Sequence, residues 1–427
     1  MKTRTLLVSA AALAAVFFVP APAWAQDLAA ALAARDFIAV AQIAETGARH
    51  EAALARATLA ASYREDGPAL RGLAAATRNE RLAPALRLNA WQSLAGIYLR
   101  QGRFADAAAA MRAGDALSVE QDADTAAVFA QARVFAEALA DEAPMQARVE
   151  AEGAIPLTRD AAQLMRANVS INGGAQDAVL DTGAAYSTIS QSAAERLGLR
   201  LLEADVTVGS ATSDEVPARL AIAEHLTIAG GEFRDVVFIV FPDEALTFAG
   251  GAYKIDAIVG LPVLIQLGRL EFTTVQGAEA LRHTRQRAQR GGERNLALDG
   301  LQPITYVHAP AANATLRMVI DTGARASSLS RDAAEAYPAL IEGAQTRATT
   351  VGGAGGTVTD HEALSIASLT LTVAGAPVTL EDVRVGETGA RRGAGDGLVG
   401  QDILRSGAGY VLDFDAMRFE LLPANAG

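Results

Sequence analysis

The chain has 427 residues, no cysteine, about half apolar residues and a formal net charge of −12. That length suggests two or three domains with ample apolar material for their cores. Zero cysteine excludes disulfides and thiol chemistry, and the acidic balance disfavours nucleic acid as a partner.

Residues 1–25 read as a secretory signal. Lys2 and Arg4 make a basic start, Leu6 to Val19 is apolar, Pro20 and Pro22 interrupt it, and Ala23-Trp24-Ala25 fits a small-x-small cleavage site before Gln26. An apolar run of about 14 residues falls short of the roughly 20 that span a bilayer. Export to the periplasm of a bacterium, or secretion, is therefore expected, with no stable membrane insertion after cleavage.

Residues 26–148 are rich in Ala, Leu and Arg, and they are expected to form a helical domain of five to seven helices. Leu86, Leu88, Trp91, Leu94, Ile97 and Tyr98 recur at helical spacing. Asp66-Gly67-Pro68 and Gln101-Gly102-Arg103 read as turns. Trp91, Leu94, Ala95, Tyr98 and Ala107 partly match a tetratricopeptide repeat, without a convincing second copy. The domain either packs on the rest of the chain or recruits a protein partner.

From about residue 149 the texture changes to short Val/Ile/Thr-rich runs between Gly- and Asp-containing turns. Leu164 to Ile171, Ala178 to Leu180, Val206 to Val208, Leu226 to Ile228 and Val236 to Phe241 read as strands. Ser190 to Gly198 reads as a helical turn with a glycine stop, echoed by Ser330 to Glu335. The expected division is one β lobe over 149–281, a basic linker over 282–296, and a second lobe over 297–427.

Two tripeptides carry the chemistry. Asp181-Thr182-Gly183 follows the apolar run Ala178-Val179-Leu180, and Asp321-Thr322-Gly323 follows Met318-Val319-Ile320, 140 residues later. Ile258-Val259-Gly260 and Leu398-Val399-Gly400 are offset by the same 140, and Val208-Gly209-Ser210 and Val351-Gly352-Gly353 by 143. Three ordered similarities at nearly one period argue for two homologous lobes. Two carboxylates in matching settings can meet, share one proton and activate water against an amide.

The pattern resembles the retropepsin-like aspartic peptidases in a duplicated, single-chain form. The resemblance covers about residues 150–280 and 297–423. It implies an all-β, two-lobed retropepsin/pepsin-like acid protease fold after the helical domain, with Asp181 and Asp321 as the catalytic pair. It further implies that Thr182 and Thr322 bond across the lobe interface, with Gly183 and Gly323 supporting the dyad. Two flaps would carry Gly209 and Ser210, and Gly352 and Gly353, against the substrate. Gly260 and Gly400 would let backbone approach beneath the catalytic loops. No metal or cofactor is implied. The expected activity is that of an exported aspartic endopeptidase acting on polypeptide, as a monomer because both lobes lie in one chain. A non-enzymatic periplasmic peptide- or protein-binding scaffold with protease-like lobes is the alternative.

Ala184 and Ala324 stand where a pepsin-like enzyme carries a hydroxyl. Without it the pair should hold its shared proton to higher pH, so the expected optimum is weakly acidic to near neutral. Ala185-Tyr186 against Arg325-Ala326 suggests two unequal sides of the cleft. The five histidines are scattered without metal-ligand spacing, and Ser187 and Ser327 have no nearby histidine for a triad.

Overall fold

A computed structural model describes residues 27–424, except 211, 214, 276, 286–293 and 387–394. The expected signal (1–25) and the middle of the basic linker lie outside these residues. Seven helices come first among the described residues: α1 (Leu28–Ala33), α2 (Phe37–Thr46), α3 (Arg49–Ser62), α4 (Asp66–Thr77), α5 (Pro84–Arg100), α6 (Phe104–Asp115) and α7 (Ala123–Ala138). None of the described helices is long and apolar enough to cross a membrane.

Consecutive helices pack on one another around Val40, Leu54, Leu73, Leu94 and Ile97. Gln101-Gly102-Arg103 turns the chain between α5 and α6, with Gly102 at a φ of 68°. Asp66-Gly67-Pro68 does not turn the chain; it forms the first turn of α4. A proline fits there because first-turn amides have no intrahelical partner to lose.

The strands then build two lobes with one connectivity. In the first, Met165–Ile171 pairs antiparallel with Gly174–Leu180, which runs parallel to Ala257–Val259. That strand is antiparallel to Ser187–Ser190, which is parallel to Gly231–Phe241, followed by Val216–Ile228 and Arg200–Val208. In the second, Gln302–Ala309 pairs with Ala314–Ile320, which runs parallel to Gly397–Val399. Ser328–Leu329 is antiparallel to it and parallel to Ala376–Val385, followed by Leu364–Val373 and Gln345–Thr346. In both lobes a serine, Ser190 or Ser330, caps a short helix by accepting from the amide three residues on.

Arg269–Val275 of the first lobe pairs antiparallel with Gly409–Asp413 of the second. Leu270 faces Leu412 and Phe272 faces Tyr410, with the two rings stacked 4.6 Å apart. Residues 270 and 272 correspond to 410 and 412 at the 140-residue offset, so the two pairs exchange under a two-fold rotation. One apolar core runs through both lobes across this sheet. Arg282 and His283, at the start of the basic stretch, sit inside the strand Ala278–Thr284 rather than in a linker. That strand is held on both sides, by Arg269–Val275 and by Glu152–Arg159.

The helices lie against both lobes. Phe37 on α2 packs with Ala297, Ile304 and Val319 of the second lobe. Arg64, after α3, donates to the Phe414 carbonyl at 2.8 Å, and Arg35 pairs with Asp299 at 2.8 Å. On the first lobe, Phe104, Phe135 and Leu139 join Leu202, Val206, Val216, Leu220 and Val237 in one cluster.

Candidate active site

Leu180 and Ile320 end buried central strands, and the chain turns at the next residue. The Asp181 amide donates to the Val259 carbonyl at 3.0 Å, and the Asp321 amide donates to Val399 at 3.0 Å. Each turn closes on itself, as the Ala184 amide meets the Asp181 carbonyl (3.4 Å) and the Ala324 amide meets Asp321 (3.2 Å). The neighbouring segment then ties on. Leu261 donates to the Ala184 carbonyl and Gln401 to the Ala324 carbonyl, both at 2.9 Å.

The two turns interlock. The Thr182 amide donates to the Thr322 hydroxyl oxygen at 3.0 Å, and the Thr322 amide donates to the Thr182 hydroxyl oxygen at 3.2 Å. Each hydroxyl in turn donates to the carbonyl before the opposite aspartate, Thr182 to Ile320 and Thr322 to Leu180, both at 2.7 Å. Both threonines are fully buried.

That grip presses each turn against the other's carboxylate. A Cβ placed on Gly183 would stand 2.6 Å from the Asp321 carboxyl carbon, and one on Gly323 would run into the Asp181 carboxylate. Only glycine leaves room there. Each carboxylate also accepts from the amide two residues on, Asp181 from Gly183 at 2.7 Å and Asp321 from Gly323 at 2.9 Å. Asp321 is buried; Asp181 is half-buried. Two carboxyl groups so held, with backbone donors on one oxygen of each, can share a proton and orient a water.

Gly260 and Gly400 lie beneath these turns. A Cβ at either would stand 2.6 Å from the backbone carbon of Tyr186 or Ala326. Their amides donate to the hydroxyls of Ser187 (3.1 Å) and Ser327 (2.9 Å). The two serines thus brace the site from below, a role that the absence of a triad left unread in the sequence.

The hairpins carrying Gly209 and Gly352 differ. Gly209 and Ser210 follow the strand Arg200–Val208, and the Ser210 amide closes the loop onto the Ser213 carbonyl at 2.7 Å. Gly352 and Gly353 are still paired, facing Thr357 and Gly356, so the turn of the second hairpin falls at Ala354 and Gly355. Gly355 and Gly356 hold φ values of 97° and 111°, which is where the backbone reverses. The tips touch: the Thr212 hydroxyl donates to the Ala354 carbonyl at 2.8 Å.

Three features break the symmetry. Tyr186 does not form one side of a cleft; its ring packs 4.5 Å from Phe135 of α7, and its hydroxyl meets the Leu99 carbonyl of α5 at 3.4 Å. Burial pushes its phenol far above the ordinary value. Arg325 places a charge where the first lobe has Ala185, both positions being exposed. Gln401 is buried and donates to the Thr322 carbonyl at 2.8 Å, while its own carbonyl accepts from Arg159 at 3.2 Å. A glutamine where the first lobe has Leu261 was the available signal for this support, and the sequence reading missed it.

No curated protein matches the chain. Among solved structures, it is similar to a retropepsin-like aspartic protease from Rickettsia conorii, with 16% identity over 33% of this chain and 94% of that one and a TM-score of 0.21. Residues 167–263, which contain the first Asp-Thr-Gly and the first glycine-tipped hairpin, match a family model described as aspartyl protease. Over that segment the chain is similar to the aspartyl proteases.

Proposed function

We propose that this chain is an aspartic endopeptidase in which Asp181 and Asp321 activate a water against a peptide bond. The observation that carries this reading is the mutual fit of the two turns, where each glycine yields its side-chain space to the opposite carboxylate. The pair holds one proton. The ionised member takes a proton from the bound water as the oxygen attacks the scissile carbonyl carbon. The protonated member donates to the carbonyl oxygen. The tetrahedral species collapses as a proton passes to the leaving nitrogen, which restores the pair. Roles within the dyad belong to the coupled pair, so neither aspartate is assigned one alone.

In this reading Thr182 and Thr322 fix the distance between the carboxylates. The hairpins at Gly209 and Ser210 and at Gly352 and Gly353 close over an extended polypeptide and exclude water. The equal connectivity of the lobes and the 140-residue offset support an internal duplication over 149–281 and 297–427. The basic start, apolar run and Ala23-Trp24-Ala25 support export with cleavage after Ala25, and Trp91, Leu94, Ala95 and Tyr98 support a tetratricopeptide-like helical domain over 26–148.

The test is peptide cleavage by the purified protein and by Asp181→Asn and Asp321→Asn. Each substitution is nearly isosteric and should leave the thermal unfolding midpoint within a few degrees while turnover falls by about a thousandfold or more. Cleavage that survives both substitutions would refute the reading.

A further inference from the structure

We propose that the two hairpins are unequal gates: the helical domain pins the first, and substrate is admitted by movement of the second alone. This rests on the endopeptidase reading above.

The first hairpin is built into its surroundings. Its second strand runs without a break from Val216 to Ile228, from the loop into the lobe body. Leu202, Val206, Val216, Ala218 and Leu220 are buried in one cluster with Phe104, Phe135 and Leu139 of the helical domain. The Gln131 side chain of α7 donates to the Thr207 carbonyl at 2.8 Å, and Arg200 forks onto the Glu142 carboxylate at 2.5 and 3.1 Å. Lifting this hairpin would strip two phenylalanines and a leucine of their cover and expose them to water.

The second hairpin has no such backing. Its strands, Thr349–Gly353 and Gly356–Asp360, pair only with each other. The body strand of its lobe restarts at Leu364, after a break at residues 361–363. Thr350, Gly352, Thr357, Val358 and Thr359 are exposed. At its base Asp360 stands 3.7 Å from Arg331 and 3.9 Å from Arg384, both loose ion pairs.

What holds the second hairpin down is its tip. The Gly355 amide donates to the Ala245 carbonyl of the first lobe at 3.0 Å, and the Ala354 carbonyl accepts from Thr212. Gly352 lies over the Phe248 ring, 3.6 Å from the position a Cβ would take. The small Ala354 side chain also rests on the edge of the apolar cluster that covers the first hairpin. Two hydrogen bonds that water can replace, and light apolar contacts of an alanine and glycines, form a latch that releases at small cost. The packing of the helical domain on the first hairpin is what makes two similar hairpins behave differently.

Because the chain has no cysteine, introduced pairs report without background. Gln131→Cys with Thr207→Cys ties the first hairpin to α7, and Ala245→Cys with Ala354→Cys ties the second hairpin's tip to the first lobe. After a short thiol cross-linker, the first pair should keep peptide turnover within about twofold of its unlinked form. The second should lose at least fiftyfold. Equal losses, or the reverse order, would overturn the proposal.

Amide hydrogen exchange reads the same asymmetry without catalysis. Residues 349–360 should exchange much faster than 200–208 and 216–222, and Phe135→Ala should release the first hairpin to the faster class. Equal exchange in the unsubstituted protein would refute unequal gating even if peptides are cleaved. A protein with unequal exchange that cleaves no peptide would refute the endopeptidase reading and leave the hairpin asymmetry standing.

Discussion

Thr182 and Thr322 each donate a backbone amide to the other's hydroxyl oxygen, and each hydroxyl donates onward across the lobe boundary. Four hydrogen bonds in a fully buried setting therefore join the turns that carry the two aspartates. Such bonds are difficult to lose, because each broken one leaves a backbone group without water.

Thr322→Val tests this directly. It removes the acceptor of the Thr182 amide and the donor to the Leu180 carbonyl, and orphaning those two groups should cost about 2–5 kcal/mol in urea unfolding. Thr322→Ser keeps the oxygen and should cost about 1 kcal/mol for the lost methyl. If the grip sets the carboxylate geometry, turnover should follow the same order, with Ser well above Val.

Gly323→Ala adds one methyl group against the Asp181 carboxylate. A displacement of the pair by even about 1 Å is expected to lower turnover by about a hundredfold. Alanine at an ordinary surface turn would leave kcat unchanged, so full activity in this variant would show that the carboxylates need not be so close.

The helices and lobes should unfold together. Phe37 buries its ring against the second lobe and Phe104 against the first, so replacing either by alanine should cost about 3–5 kcal/mol. Calorimetry should show one transition, shifted as a whole. Two separated transitions would mean that the helical domain is an independent unit.

Two aspartates outside the dyad give stability opposite pH dependences. Burial pushes the Asp160 carboxyl up, but hydrogen bonds from Tyr253 and Arg166 and the Leu164 amide overcome it and hold the group below its ordinary value. Its contribution is present above about pH 4 and is lost as pH falls through the folded value. Asp160→Asn should therefore destabilise at pH 7 and matter less in acid. Burial holds Asp396 above its ordinary value, against the opposing Arg317 amide. The favourable, protonated state is present at low pH and is lost as pH rises through the folded value. Asp396→Asn keeps an acceptor for the Arg317 amide, found at 2.7 Å, and should stabilise at pH 7 with little effect near pH 4. Thermal unfolding of both variants at the two pH values checks the signs.

Ala184 and Ala324 predict an activity optimum from weakly acidic to near neutral. A pH profile of kcat/KM that peaks in strong acid would contradict this. Ala184→Ser or Ala324→Ser should move the profile toward acid, since a hydroxyl beside the pair can donate to the charged form.

The chain's own pattern carried the local chemistry. Apolar runs ending in Asp-Thr-Gly, a 140-residue offset and serine-started helical turns are written within a few residues of each other, and alternation and periodicity are local signals. The strands near Met165–Ile171 and Gly231–Phe241 were legible for that reason, as were the short helical turns that begin at Ser190 and Ser330. Other features depended on partners remote in the chain. Tyr186 looked like a cleft residue, and only packing against Phe135 and Leu99 sends it toward the helices. Gln401 looked unremarkable until its amide met the Thr322 carbonyl. The similarity of the two hairpins in sequence hid their difference in setting, because what restrains a hairpin is the surface laid against it. A short motif can specify which groups meet; the cover over them is a sum of long-range contacts that only the folded chain brings together.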